Sequence, residues 1–183
     1  MNATMTDSTP EDVVAFWRAS SDRWFAKDAD FDRAFRERFL DRHMAVAARR
    51  HDDWMGTAEG ALALLILTDQ FPRNAFRGTG HMYATDLLAR HYARLALDAG
   101  HMERVEPELR LFFCLPFAHS EDIADQDLSV QLNACLGPPW LGHAEGHRDI
   151  IRRFGRFPHR HAMLGRAMTP EEADFLEAGG FQG

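Results

Sequence analysis

The stretch that most constrains the fold is a run of seven apolar residues at positions 61–67, reading ALALLIL. It is rich in Leu and Ala, so it predicts a helix, and because no side of that helix is polar it predicts a buried one. Four polar residues follow directly behind the run: Asp69, Gln70, Arg73 and Arg77. Strong polar groups at the edge of a core must be paired, and these four are therefore the first candidates for a site.

The rest of the chain also shows helical spacing. Phe31, Phe35 and Phe39 recur every four residues and so share one face of a helix. No stretch of the sequence has the alternating apolar pattern of a strand. The sequence therefore predicts an all-α fold, a single domain of about seven or eight stacked antiparallel helices. We expect this domain to span residues 9–179, after a flexible tail at residues 1–8.

Capping residues and prolines predict where helices begin and end. Thr169 begins a capping-box pattern, and Ser120 has the pattern of an N-cap followed by an acidic first turn. Proline clashes with the preceding turn of a helix. We therefore expect Pro72 to stop the apolar helix just before it or to restart it, and Pro116 to close the helix that precedes it.

The charge of the chain argues against one class of function. Its 183 residues carry a formal net charge of −7, whereas general nucleic-acid binding needs a basic surface. Positive charge is concentrated in residues 148–166, which hold six arginines and one acid. Arginines suit the recognition of carboxylates and phosphates.

Targeting signals and cysteine spacing add further expectations. The first ten residues do not resemble a signal peptide, and no apolar run approaches the length of a membrane span. The sequence thus predicts a cytoplasmic protein with no membrane partner, and it leaves a homo-oligomer open. Cys114 and Cys135 match no metal or redox spacing, so both are expected to be small core residues.

Five segments of the sequence resemble a known family. The strings LTDQFPRNAFRGT, YATD, LPFAHSEDIADQD, HRDIIRRFGRFPHR and LGRAMTPEE, in this order, resemble the bacterial domain-of-unknown-function family 924 (DUF924). The resemblance extends from about Val13 to Leu176. It implies a tetratricopeptide-like helical fold and no assigned activity. One departure is visible, because the family's usual Asn after FPHR is His161 here, and this puts the chemistry of any site that uses that position in doubt.

The polar residues behind the apolar run allow two interpretations. Asp69 lies near a helix C-terminus, where the helix dipole disfavours a carboxylate, and it is expected to be partly buried. It therefore needs cationic partners, with Arg73 and Arg77 near in sequence and Arg153, Arg156 and Arg160 as distant candidates. The favoured interpretation is an Asp–Arg pair that joins helix ends. The alternative is a pocket in which one arginine stays available to bind an anion.

A second group of candidates surrounds His119. Asp122 and Gln126 share a helix face there, and the favoured interpretation is an acidic first turn stabilised by the helix dipole. Alternatively, His119 and Asp122 face the arginine-rich segment and form an acid–base pair. That segment includes His159 beside its arginines, and it could bind phosphate, a carboxylate-bearing metabolite, RNA or an acidic peptide. The favoured interpretation is that it neutralises acids, namely Asp69, Glu121, Asp122 and Asp125.

Two histidines have a spacing that permits metal binding. His143 and His147 are four residues apart, as are helical pairs that share a zinc ion, but the HExxH order is missing. A third ligand would have to come from His119, Asp122 or His159. We expect no metal site, with His143 and His147 as weak candidates only.

The sequence favours a cytoplasmic binding domain with a polar pocket for a small anionic molecule or a peptide end. One alternative is a metal-assisted or acid–base hydrolase-like enzyme that uses His119, Asp122, His147 and His159. Another is a structural polar hub in a protein that binds other proteins. Whether the protein is an enzyme, and which cofactor it would use, is not decided by the sequence. The candidate pocket residues are Asp69, Gln70, Arg73, Arg77, His119, Asp122, Gln126, Arg153, Arg156, His159 and Arg160.

Overall fold

The computed structural model describes residues 8–183, and within them all regular secondary structure is helical. The predicted all-α fold class is confirmed. Most of the predicted flexible tail, residues 1–7, lies outside the described residues. The α-helices are α1 (Pro10–Ala19), α2 (Ala29–Ala47), α3 (Ala58–Leu65), α4 (Phe71–Ala75), α5 (Asp86–Asp98), α6 (Leu111–Ala118), α7 (Ile123–Leu136), α8 (Trp140–Phe154), α9 (His161–Leu164) and α10 (Pro170–Glu177). Short 3-10 turns lie at Ser21–Arg23, Asp52–Gly56, Gly80–Tyr83, Met102–Arg104, Pro107–Leu109 and Pro158–Arg160.

The chain divides into two compact units, which are described separately below. The first unit runs to Arg77 and resumes over His81–Phe113, and the second comprises Gly78–Gly80 and Cys114–Gly183. No helix among residues 8–183 combines the length and the apolar character needed to cross a membrane.

The core of the first unit is built around the predicted apolar helix. Residues 61–67 are 0–1 % exposed, so the prediction of a buried helix is confirmed. The phenylalanines of α2 also face this core, and Phe35 packs against Phe16 at 5.3 Å and against Phe71 at 5.1 Å between ring centroids. Burial of these apolar surfaces is the main stabilising contribution to the unit.

The apolar helix does not stop near Gln70, which was one of the two outcomes expected from Pro72. A π-helical turn (Ile66–Gln70) continues it directly into α4, where Pro72 occupies the second position. A proline there has no N–H to donate to the carbonyls one turn back. Those carbonyls have other donors: His43 Nδ1 lies 2.8 Å from the Leu67 oxygen, and Thr85 Oγ1 donates to the Thr68 oxygen at 2.6 Å. Side chains from α2 and from the start of α5 therefore replace the hydrogen bonds that Pro72 removes.

The second unit is organised around the packed pair α7 and α8, which a three-residue connection joins. Ile150, Ile151 and Phe157 form its apolar core, with Phe154 and Phe175 packed against them. Gly155 ends α8 with φ 70°, a left-handed conformation that glycine adopts without strain. The capping box predicted at Thr169 is confirmed at the start of α10.

Three sequence-based expectations for this part of the chain were wrong. Pro116 lies inside α6 and does not close it. Asp122, not Ser120, is the N-cap of α7: its carboxylate accepts from the Ala124 N–H, whereas Ser120 lies two residues earlier, accepts from the Asp122 N–H and donates to the Asp125 carboxylate at 2.7 Å. Cys114 is buried as expected, but Cys135 is exposed, so it is not a core residue.

Candidate functional site

Asp69 and Arg73 meet in the first unit, in a buried ion network that also contains Asp86. The Arg73 guanidinium lies 3.3 Å from Asp69 Oδ1 and donates to both carboxylate oxygens of Asp86, at 2.9 and 3.1 Å. The Arg73 side chain is only 15 % exposed. Burial by itself would lower the pKa of Arg73, but the charges of Asp69 and Asp86 outweigh it and raise that pKa above its usual value.

The other polar residues behind the apolar run extend this network. Gln70 donates to Asp69 Oδ2 at 2.7 Å, and its own carbonyl accepts from Asn74 at 2.9 Å. Arg77 forms a bidentate pair with Asp32 at 2.7 and 3.0 Å. The Arg77–Asp32 pair joins α2 to the segment that follows α4.

Sequence reasoning missed the two carboxylates that complete these pairs, Asp32 and Asp86. Asp32 lies in α2, and Asp86 is the first residue of α5. Asp86 belongs to the YATD segment, which is one of the strings that resemble the family. Its position in that segment was the one signal that could have drawn attention to it.

Two of the candidate arginines in the second unit are paired with acids of α10. Arg156 donates to Glu172 at 2.7 and 2.9 Å, and Arg153 donates to Glu171 at 3.0 Å. The hydrogen bonds from Arg156 and the Thr169 N–H lower the pKa of the Glu172 carboxyl well below its usual range. Arg156 therefore anchors α10 through Glu172, an acid that the sequence-based interpretation of this segment did not include.

His161, the departure from the family pattern, belongs to the same anchor. The residue is buried, and its Nε2 lies 3.1 Å from Glu172 Oε1. In this chain His161 therefore packs against the Glu172 carboxylate, beside the Arg156 guanidinium that binds the same carboxylate.

The candidates near His119 mostly serve the backbone around the start of α7. Gln126 Nε2 donates to the carbonyls of Ala118 at 2.9 Å and of Ser120 at 2.6 Å. Arg160 donates to the His119 carbonyl at 2.9 Å. The Asp122 carboxylate accepts from the Ala124 N–H at 2.8 Å and caps α7.

Two of the candidate histidines, together with two phenylalanines, form what we call the four-ring cluster: His147, Phe157, His159 and Phe181. The Phe181 ring lies 4.6 Å from the His147 ring and 5.0 Å from the His159 ring between centroids. Phe157 contacts the same two imidazoles at 5.6 and 5.5 Å. Arg160 stacks on Phe157, with its guanidinium carbon 4.6 Å from the ring centroid.

Both imidazoles of the four-ring cluster are neutral at physiological pH. Burial lowers the pKa of His147 to about 3, helped by the charges of His119, His143 and Arg160. Burial also lowers the pKa of His159 to about 3, with Arg160 as the largest contributing charge. An imidazole in this environment can take up a proton only if a negative charge comes close to it.

The tautomer of His147 follows from its contacts. One ring nitrogen donates to the Ala118 carbonyl, and Nδ1 is buried without a hydrogen-bond partner within the described residues. The donor is therefore Nε2, which leaves Nδ1 with an unused lone pair. His159 Nδ1 is likewise buried and unpartnered in this part of the chain. Other buried side-chain nitrogens of the described residues also lack a hydrogen-bond partner, but His147 and His159 are two such imidazoles that contact the same aromatic rings.

Within residues 8–183 no group of three or more His, Cys, Asp or Glu side chains is arranged to hold a metal ion. His143 is exposed, and its ring packs beside Trp140 at 6.1 Å between centroids. His147 faces the four-ring cluster instead. The residues as placed therefore do not fit the metal-assisted alternative.

Comparison with known proteins places these observations in a family. The family described as "Bacterial protein of unknown function (DUF924)" matches residues 13–180, in agreement with the resemblance seen in the sequence. A solved structure of a protein of unknown function from Agrobacterium tumefaciens is 56 % identical, with a TM-score of 0.91, and the match covers 93 % of this chain and 97 % of that one. No curated protein matched the chain.

Proposed function

The chain belongs to the bacterial family of proteins of unknown function DUF924, and because that family assigns no activity, we propose a function from the geometry. The protein is a binding domain that takes a small anionic ligand, or the carboxylate end of a peptide, at the four-ring cluster. The observation that carries the proposal is the pair of buried, unpartnered Nδ1 atoms of His147 and His159.

The surroundings of the two imidazoles support an anion as the ligand. The charge of Arg160 lowers the pKa of both His147 and His159, so this arginine supplies a positive potential at the two rings. An anion that approaches Nδ1 would meet this potential favourably. The negative charge of the anion would also stabilise the protonated imidazole, so the anion would bind together with a proton.

Phe181 controls access to the two imidazoles. Its ring covers both of them, yet 39 % of the residue is exposed, and it follows Gly179 and Gly180 rather than lying in a helix. Rotation of one partly exposed side chain would uncover the nitrogen atoms without disturbing the core of the unit.

The buried ion network of the first unit has a different role in this proposal. Arg73 is held between two carboxylates, and Arg77 is held by Asp32, so their charges are used within the unit. We assign these residues to stabilisation of the fold and not to the ligand.

The proposal is tested by thermal unfolding in the presence of phosphate, citrate and acetate, with chloride at matched ionic strength as the reference. A ligand at ten times its dissociation constant stabilises the folded state by about 1.4 kcal/mol, which raises the melting temperature of a protein of this size by about 4 °C. Because binding takes up a proton, we expect a larger increase at pH 5.5 than at pH 7.5.

Variants separate the four-ring cluster from general salt effects. His147→Gln and His159→Gln should each abolish the anion-dependent increase, whereas His91→Gln, an exposed histidine of the first unit, should keep it. Phe181→Leu tests access in a chain whose imidazoles are intact, and it should change the affinity. An anion response no larger than that of chloride, or its equal loss in His91→Gln, would overturn the proposal.

A further inference from the structure

A shallow groove with a volume of about 310 Å³ lies on the second unit, between α8 and the residues that follow α10. This volume is at the lower end of the range for small-molecule sites. Its lining residues are Gly146, Asp149, Ile150, Arg153, Phe154, Phe175, Gly180 and Phe181.

The floor of the groove is apolar and aromatic. Phe154 and Phe175 pack on each other with ring centroids 5.1 Å apart. The Arg153 guanidinium lies over both rings, with its central carbon 4.6 and 5.7 Å from their centroids. These rings therefore already accept a cation on their faces within the protein, a contact that the negative face of a π-system favours.

The groove is lined by one acid, Asp149, and one arginine, Arg153. Arg153 is neutralised by Glu171 at 3.0 Å, whereas Asp149 is exposed and takes part in no ion pair within residues 8–183. The other arginines nearby on α8 also have acidic partners, since Arg148 and Arg152 lie 3.7 and 3.3 Å from Asp127. The carboxylate at the rim therefore remains available for a ligand of opposite charge.

Two glycines keep the groove open. Gly146 lies inside α8, and a Cβ atom added to it would meet nothing within 4 Å. Glycine in the interior of a helix is less favourable than alanine, so Gly146 destabilises α8. No neighbouring atom requires a residue as small as glycine at this position. Gly180 forms another wall, where its backbone approaches Phe175 so closely that a Cβ would lie 2.5 Å from the Phe175 oxygen.

We propose that this groove binds a small organic cation with an apolar body, of the aryl-alkylamine class. The ammonium group pairs with Asp149 at the rim, and the apolar body lies on Phe154 and Phe175, over the space that Gly146 leaves. This site is separate from the proposed anion site and does not depend on it, although Phe181 contributes to both.

The test uses phenethylamine as the probe and phenylacetate, which has a similar body and the opposite charge, as its control. Titration of the full chain followed by amide chemical shifts should show saturable changes at Gly146 and Gly180 with phenethylamine and none with phenylacetate. Asp149→Asn should weaken phenethylamine binding about fivefold, the effect expected for one exposed charge pair, whereas Glu145→Gln should leave it unchanged.

A pair of glycine variants tests the position of the ligand. Gly146→Met fills the groove and should abolish binding. Gly142→Met introduces the same side chain one turn earlier on α8, where a Cβ also meets nothing within 4 Å, and it should keep binding. Equal binding of phenylacetate, retained binding in Gly146→Met, or no saturable binding of phenethylamine would each overturn the proposal.

Discussion

The ion pairs of the first unit allow a stability prediction that is based mainly on the burial of their arginines. Two bidentate Arg–Asp pairs in the first unit have nearly the same geometry: Arg73 with Asp86, and Arg77 with Asp32. The Arg73 and Asp86 side chains are 15 % and 11 % exposed, whereas the Arg77 and Asp32 side chains are 34 % and 14 % exposed, so the two pairs differ mainly in the exposure of the arginine. The same substitution, Asp→Asn, can therefore be compared at a buried pair and at a more exposed one.

The expected effects differ in size. At a charge separation of about 4 Å and an effective dielectric constant of about 20, removing the Asp86 charge loses about 4 kcal/mol of attraction to Arg73. The amide oxygen of the substituted side chain still accepts one hydrogen bond, which recovers about 1 kcal/mol. We therefore expect Asp86→Asn to reduce the free energy of unfolding by about 3 kcal/mol. At the more exposed Arg77, Asp32→Asn should cost about 1 kcal/mol or less, because water solvates the released guanidinium.

Urea unfolding at pH 7, followed by circular dichroism at 222 nm, measures both values. The slope of the free energy of unfolding against urea concentration should be unchanged in both variants, so that a change in the unfolding midpoint reports a change in stability. If Asp86→Asn costs no more than Asp32→Asn, the argument that burial determines the strength of these pairs is wrong.

Three further predictions concern single residues. Folding lowers the pKa of His147 to about 3, so the unfolded chain binds more protons than the folded chain between pH 6.5 and 3. The free energy of unfolding should therefore fall as the pH falls through that window. In urea titrations His147→Gln should make that fall shallower. Gly146→Ala should stabilise the protein by about 0.5–1 kcal/mol, whereas Gly60→Ala should raise the unfolding rate and lower the melting temperature, because its Cβ would collide with a backbone carbonyl. Burial raises the pKa of Cys114 to about 12, so a thiol reagent at pH 8 should modify only Cys135 in the native protein and both cysteines after denaturation.

Local features of the fold could be predicted because their causes lie close together in the sequence. The capping box at Thr169 involves a residue three positions away, and the turn after Gly155 needs only a glycine. The apolar run at residues 61–67 could be assigned to a buried helix because every position in it is apolar. Such signals need no knowledge of distant partners.

Features that depend on distant partners could not be predicted. Pro72 is accommodated because His43 and Thr85, from two other helical segments, reach the carbonyls that it leaves without a donor. Ser120 has the pattern of an N-cap, but Asp125 engages its hydroxyl and Asp122 caps the helix instead. Local propensity in each case was overridden by a contact that forms only in the folded chain.

The candidate site shows the same division. The sequence indicated that Asp69 needs a cation and that Arg73 is near enough to supply it. It could not indicate that Asp86 shares that arginine, or that Phe181 lies across two imidazoles. Those contacts join positions 13 or more residues apart. The local sequence pattern does not determine which of such distant positions meet in the folded chain.

The sequence by itself determined the all-α fold class, the position of the buried apolar helix at residues 61–67, and the family to which the chain belongs. The tertiary structure alone decided which polar groups satisfy one another and which stay unpartnered. The physical reason is that helix formation depends on spacing within a few residues, whereas pairing of buried charges and hydrogen-bonding groups depends on which segments meet in space. The unpartnered nitrogens of His147 and His159 could be recognised only after every other buried partner had been placed.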